Sequence, residues 1–183
     1  MTHALLLDRY QKYQKKVQDI IQKVSSMPDE HINAIPAEGA WSAAQTILHL
    51  IMVEEMSMRY IKKKTSGGSL SVEKPGMKAL VRHFLLQVYL RSPFKFKAPA
   101  GVAPETIAAS ATSEELATRW ANIQNEWVAF LGNMPDEYLD KAVYKHPRAG
   151  RISWMQTIDF FDTHFDRHQK QIENALHAVT FAA

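Results

Sequence analysis

The sequence predicts an all-α fold: a four-helix bundle with an extra short helix between the second and third main helices. Four long segments place apolar side chains three or four residues apart, the repeat of one helical face, and no segment reads convincingly as a strand. Glycine and proline fall mainly between these segments, where turns are expected. With 183 residues, 46% of them hydrophobic, the chain can bury a substantial core, and we treat residues 1–183 as one domain.

The first two main helices are predicted over residues 4–26 and from about residue 41 to residue 64. Ser42 is a candidate cap for the second, because a serine hydroxyl can accept a hydrogen bond from a backbone N–H of the first turn. The glycine- and serine-containing segment 65–69 ends that helix. The apolar stripe of the first helix consists of Leu6, Tyr10, Tyr13, Val17, Ile20, Ile21 and Val24.

The short helix is predicted over residues 78–91, followed by the proline-containing connection 92–104. The third main helix opens at residue 112 or 113, with two glutamates in its first turn, and ends near residue 132. The last runs from about residue 153 to about residue 178. These four main helices are the ones from which we predict the bundle.

The short helix also motivates a prediction of homodimerisation. Its apolar residues lie on more than one face, so one face can cover the bundle while another stays exposed. An exposed apolar patch usually marks an interface. The alternative is that segment 92–104 folds back and covers the patch within one chain.

Composition excludes several classes of protein. The net charge is only +3 and the basic residues form no long tract, so we do not expect nucleic-acid binding. No apolar run is long enough for a signal-peptide core or a membrane span, so we expect no membrane partner. The absence of cysteine removes disulfides and thiolate ligands and is compatible with a cytoplasmic location.

Three histidines are the candidate metal ligands. His164 and His168 are four residues apart in the last helix and therefore share one face. His49 lies in the apolar part of the second helix. A lone histidine there is commonly a hydrogen-bonded core residue, and a surface pair four residues apart also arises by chance. Together, however, three neutral imidazoles from two facing helices can fill three positions of a zinc- or nickel-like site and leave others open.

The nearby carboxylates do not share the ligand faces. Glu54, Glu55, Asp162 and Asp166 are each more than about 100° from the histidine direction on their helix, so we expect them to face solvent. No general base is therefore evident beside the histidines.

Two common helical metal motifs are also excluded. Phe165 stands where a zinc-protease HExxH motif needs glutamate. Phe161 and Thr46 stand where the Glu-x-x-His motifs of a ferritin-like di-iron bundle need theirs.

The chain resembles the DinB/YfiT-like superfamily of metal-binding four-helix bundles. The resemblance lies in W-S-x-x-Q-x-x-x-H-L around His49, followed after a long gap by H-x-x-x-H-x-x-Q-I at 164–172. It implies that His49, His164 and His168 ligate one divalent metal ion, nickel or zinc. It also implies an up-down-down-up helix order and frequent pairing into dimers. The activities it implies are metal-dependent hydrolysis and transfer of a low-molecular-weight thiol to an electrophile or epoxide.

From this resemblance we expect a small-molecule enzyme that activates either water or a thiol cosubstrate. Because no general base is evident, the thiol route is favoured: a bound thiolate needs no further activation. Gln45 and Gln171 are candidates for hydrogen bonds to the ligands or to the substrate. His146 could approach the site, but we expect it to be a solvated loop residue. The alternative function is a non-enzymatic, metal-stabilised binding or stress-response module.

Overall fold

The computed structural model describes residues 1–66, 74–92 and 106–180, and in these ranges helix dominates, which confirms the predicted class. The elements run in the order α1 (His3–Ser25), α2 (Asp29–Asn33), α3 (Ala43–Thr65), α4 (Met77–Arg91), α5 (Ser113–Asn133), a 3₁₀ turn (Asp136–Tyr138), β1 (Tyr144–His146), β2 (Gly150–Ile152) and α6 (Trp154–Thr180).

Helices α1, α3, α5 and α6 form the bundle. Both α1 and α3 pack against α5 and α6, so α1 and α3 occupy opposite corners. The residue numbers of contacting partners rise together along α1 and α6, and also along α3 and α5, so each of these pairs is parallel. Along α1 and α5 one number rises as the other falls, so that pair is antiparallel. The order is therefore up-down-down-up. The contacts that establish it are Arg9–Asp162 and Lys16–Asp166, then Glu54–Trp120 and Lys62–Glu126, then His3–Leu131 and Tyr10–Trp127.

The core is rich in aromatic side chains. Trp127 of α5 meets Phe161 of α6 edge to face, with ring centroids 5.1 Å apart, and Tyr13 of α1 meets Phe165 in the same way. Burying a side chain of this size contributes on the order of 1.5–3 kcal/mol, and an edge-to-face pair adds about 0.5–1.5 kcal/mol. These contacts fix the rotation of α6 and hence the direction in which its histidines point.

The predicted helix cap at Ser42 is present. The Ser42 side chain accepts from the backbone N–H of Gln45, and the Gln45 side chain accepts from the Ser42 backbone N–H, which forms a capping box at the start of α3. Helix α6 opens with the same reciprocal pair, Ser153 and Gln156. The two helices that carry His49, His164 and His168 therefore begin at positions fixed by local hydrogen bonds.

Three small elements were not predicted. The segment before α6 contains an antiparallel hairpin, in which His146 pairs with Gly150 across β1 and β2. Strands of three residues are too short to show a period of two, which is why the pattern missed them. Gly150 adopts φ 69°, a left-handed conformation that favours glycine. The other missed elements are the five-residue helix α2 and the 3₁₀ turn Asp136–Tyr138.

Two of the four carboxylates expected to face solvent are buried. Glu54 is 1% exposed, and Asp162 is buried against Arg9 and Lys16. The angles derived from helix geometry correctly placed both carboxylates away from the histidines. It failed on burial, because a helix in a bundle contacts neighbours on two sides, so a side chain about 100° from one buried face can enter another. Asp166 is exposed, as predicted.

The outer face of α4 is apolar and exposed. Phe84 is 65% exposed, whereas Leu86 and Leu90 on the inner face are buried against the bundle. The connection proposed to cover this face lies almost entirely in residues 93–105, outside the described residues. No helix in the described ranges has the length and apolarity needed to cross a membrane.

Candidate metal centre

The three histidines predicted as ligands meet between α3 and α6. Nε2 of His164 lies 3.1 Å from Nε2 of His168 and 3.4 Å from Nε2 of His49. His49 is 4% exposed, and the two α6 histidines are partly exposed. In the described part of the chain this is the group of metal-ligating side chains that converges closely enough to hold one ion.

The donor set fits a divalent transition metal. Two nitrogens each bound about 2.0–2.1 Å from a tetrahedral zinc ion lie about 3.3 Å apart, close to the distances between these rings. Imidazole is a ligand that both zinc and nickel accept. Three histidines leave at least one coordination position for water or substrate, which is the arrangement of a catalytic rather than a structural zinc site.

A hydrogen bond defines which nitrogen of His168 carries the proton. Nδ1 of His168 lies 3.0 Å from the amide oxygen of Gln171, and because this oxygen can only accept, Nδ1 must donate. The lone pair of the neutral ring is then on Nε2, which is the atom facing His164. Gln171, one of the two glutamines selected from the sequence, therefore contacts a candidate ligand directly.

Burial and mutual repulsion keep the α6 histidines neutral. Desolvation, together with the positive charge that His49 would carry, lowers the pKa of His168 to about 3. Desolvation and the neighbouring His168 and His49 lower the pKa of His164 well below its usual value. Neutral imidazole is the form that binds a metal, so both rings are in the ligand form at pH 7.

The sequence profile of the DinB superfamily matches residues 13–172, most of the chain and all three histidines. The chain belongs to the DinB superfamily. No curated protein matches it significantly. The resemblance inferred from the histidine motifs is thereby confirmed.

In this DinB superfamily protein, aromatic side chains line the three-histidine site. The Trp41 ring meets His49 edge to face, with centroids 5.3 Å apart. Phe160, one turn before His164, stacks on its ring at 5.3 Å with an interplanar angle of 17°. Rings on both sides limit the rotation of the imidazoles, which pre-organises the site. Phe160 is four residues before His164 and shares its helical face, but the stacking of the two rings could not be read from spacing.

His146 contradicts the expectation of a solvated loop position. It is 6% exposed, lies on β1, and its ring centroid is 4.4 Å from that of Phe160. The hairpin explains the difference, because its pairing turns His146 towards α6. The structure thus places a fourth histidine one aromatic ring away from the candidate ligand His164.

Gln45, the other glutamine selected from the sequence, has a different set of contacts from Gln171. Its side-chain oxygen accepts from the Ser42 backbone N–H, as part of the helix cap. Gln45 therefore caps the start of α3, the helix that also carries His49.

Proposed function

We propose that the protein is a small-molecule enzyme in which His49, His164 and His168 hold one divalent metal ion, nickel or zinc. The observation that supports this most strongly is the convergence of three ring nitrogens, with two of the rings held neutral. A metal held by three neutral ligands retains its positive charge and lowers the pKa of a bound thiol or water.

We further propose that the nucleophile is a low-molecular-weight thiol. The groups whose charges act on His164, besides the effect of burial, are His168, His49, His146 and Arg167, and none of these is a carboxylate. His146 has no free lone pair to act as a base, because its Nδ1 accepts from the backbone N–H groups of Arg148 and Ala149. A hydrolase would need a general base to accept a proton from its attacking water, whereas a thiolate needs no such base. The chain contains no cysteine, so the thiol must be a cosubstrate.

The protein contributes positioning and exclusion of water. Trp41 and Phe160 cover the two sides of the histidine cluster, and the aliphatic side chains of α3 continue along the same face from His49. Such walls favour an apolar electrophile beside a polar reacting atom. The thiol loses its proton to solvent, and its sulfur then forms a bond to carbon of the electrophile. The bond that breaks is either the carbon–oxygen bond of an epoxide, whose oxygen takes up a proton, or the bond to a leaving group that departs as an anion.

We also propose a homodimer formed through the outer face of α4. This face exposes a continuous set of apolar side chains: Met77, Leu80, Val81, Phe84, Leu85 and Val88. A patch of this kind on a protein surface usually marks an interface.

The test is a thiol-transfer assay on nickel- or zinc-loaded protein. A panel of small thiols is offered with monochlorobimane, an electrophile that becomes fluorescent when sulfur displaces chloride. His49→Ala should reduce the rate to that of the uncatalysed reaction. Asp166→Asn is the control and should stay within a few-fold of the parent, because Asp166 is an exposed partner of Lys16.

Other outcomes would point to other functions. Hydrolysis of ester substrates without thiol transfer would identify the protein as a hydrolase. Stoichiometric metal binding with neither activity would support the non-enzymatic module instead.

A further inference from the structure

The hairpin places the polar side chain of His146 close to the histidine cluster. Tyr144 of β1 accepts a hydrogen bond from Ser57 of α3, and His146 meets Phe160 of α6, so β1 contacts both helices that carry the candidate ligands. Because Phe160 also stacks on His164, only one aromatic ring separates His146 from the cluster. A small molecule bound at the cluster can therefore extend towards the hairpin.

The protonation of His146 follows from its hydrogen bonds. Its Nδ1 accepts from the backbone N–H groups of Arg148 and Ala149, at 3.2 and 3.1 Å, so Nδ1 carries no proton. The ring proton is on Nε2. No protein acceptor for this N–H is present among the described residues, and the side chain is only 6% exposed. A nearly buried donor without a protein partner is a group that a ligand can satisfy.

Two arginines lie against the hairpin that carries this donor or against α4, which packs on it. The guanidinium carbon of Arg148 is 5.1 Å from the ring centroid of Tyr89, which holds the side chain over α4. Arg82 of α4 lies against Gly150, the cross-strand partner of His146, where an added Cβ would be 3.2 Å from Nη1. Within the described ranges neither arginine pairs with a carboxylate.

The two arginines therefore give the region around the hairpin positive charge. Burial, together with Arg148 and the neighbouring His83, lowers the pKa of His146 to about 4, so the ring is neutral at pH 7 and acts as a donor rather than as a cation. Helix α4 and the hairpin contain no acidic residue. Net positive potential beside an unpaired donor favours an anion.

We propose that His146, Arg148 and Arg82 form a subsite for an oxyanion group, a carboxylate or a phosphate, on the molecule that binds at the three-histidine cluster. The Nε2–H of His146 donates to one oxygen, and the arginines supply further charge-assisted donors. The proposed function is needed only to identify this anion as the substrate or thiol cosubstrate. The subsite itself rests on the hairpin and α4.

The first experiment tests the subsite without metal. Inorganic phosphate is titrated into the metal-free protein, and the imidazole resonances of His146 are followed by NMR. We expect a saturable shift that weakens at least about tenfold in Arg148→Gln, since a hydrogen bond to a charged group contributes about 1.5–3 kcal/mol. Lys145→Gln is the matched control: it removes the same charge from the adjacent strand position, whose side chain points to the opposite face of the hairpin.

Two results of this titration would overturn the subsite. One is the absence of saturation. The other is equal weakening in Lys145→Gln and Arg148→Gln, which would show that only net charge matters.

The second experiment tests the link to the substrate. Mercapto acids of increasing chain length, and the matching mercapto alcohols, are titrated into zinc-loaded protein by calorimetry. We expect the acid of optimal length to bind at least about tenfold more tightly than its alcohol, and Arg148→Gln to abolish this preference. Equal binding of acid and alcohol at every length would overturn the link. Saturable phosphate binding without binding of any thiol would leave the subsite standing and contradict the proposed thiol function.

Discussion

A single hydrogen bond sets the protonation of the candidate ligand His168. Its Nδ1 donates to the side-chain oxygen of Gln171, so Nε2 has the lone pair that a metal needs. Partners of this kind fix the orientation of a ligand and raise its basicity. At the residue scale, the site therefore depends on Gln171 as well as on the three histidines.

Replacing Gln171 should weaken metal binding without unfolding the protein. We expect Gln171→Leu to lower the affinity for zinc about 10–100-fold, the usual effect of removing such a partner, measured by competition with a chromophoric chelator. Gln169→Leu is the control, because Gln169 lies on the same helix and pairs with Glu173 instead. Equal affinities in the parent and Gln171→Leu would show that the hydrogen bond does not orient the ligand.

At the scale of the elements, Glu54 joins three helices of the bundle. From α3 it accepts hydrogen bonds from Tyr10 and Tyr13 of α1 and from Trp120 of α5, at 2.8, 2.6 and 2.8 Å. Its partners are all neutral, so burial dominates and raises the pKa of the Glu54 carboxyl, although the three donors oppose the shift. This carboxylate stabilises the relative positions of the helices at a cost that depends on pH.

Removing one donor from Glu54 should destabilise the fold. We expect Tyr13→Phe to lower the free energy of unfolding by about 1–3 kcal/mol at pH 7, because a buried acceptor loses a hydrogen-bond partner. The measurement is urea unfolding followed by circular dichroism. Tyr60→Phe is the control, since Tyr60 is a partly exposed tyrosine of α3 outside this cluster. Equal destabilisation by the two substitutions would argue against a special role for the Glu54 cluster.

The raised pKa of Glu54 also has a definite sign in its effect on stability. The folded state holds the proton more tightly than the unfolded state, whose carboxyl titrates near the usual 4.5. The contribution to stability is therefore fully present below that pH and is lost as the pH rises through the folded value. Relative to Glu54→Gln, the parent protein should lose unfolding free energy over this window. A parent that gains stability relative to Glu54→Gln as the pH rises would contradict this account.

The sequence predicted those features that depend on local pattern. The cap at Ser42, the helical stripes and the shared face of His164 and His168 follow from spacing along one helix, and all are present. The burial of Glu54 and the placement of His146 depend on which neighbouring element packs alongside. Spacing along a single helix contains no information on this, so these two features required the structure.

At the scale of the whole molecule, the outer face of α4 should decide the oligomeric state. We expect light scattering to give a mass of about twice 20.8 kDa, because dimerisation buries the exposed apolar side chains. Phe84→Glu should give a monomer, since it places a charge in the centre of that face. Leu5→Glu is the control: Leu5 is a similarly exposed residue on α1, and the variant should remain dimeric. A parent mass near 20.8 kDa at micromolar concentration would show that α4 is covered within one chain.

The central claim, that the bundle brings three histidines together to hold one metal ion, is tested most directly by metal stoichiometry. Protein reconstituted with zinc or nickel and freed of excess metal should contain one ion per chain by elemental analysis. The double variant His164→Ala/His168→Ala should contain almost none while keeping its helical circular dichroism spectrum, because two of the three ligand nitrogens are gone and the core contacts of α6 remain. Retention of one ion per chain by that variant would contradict the account.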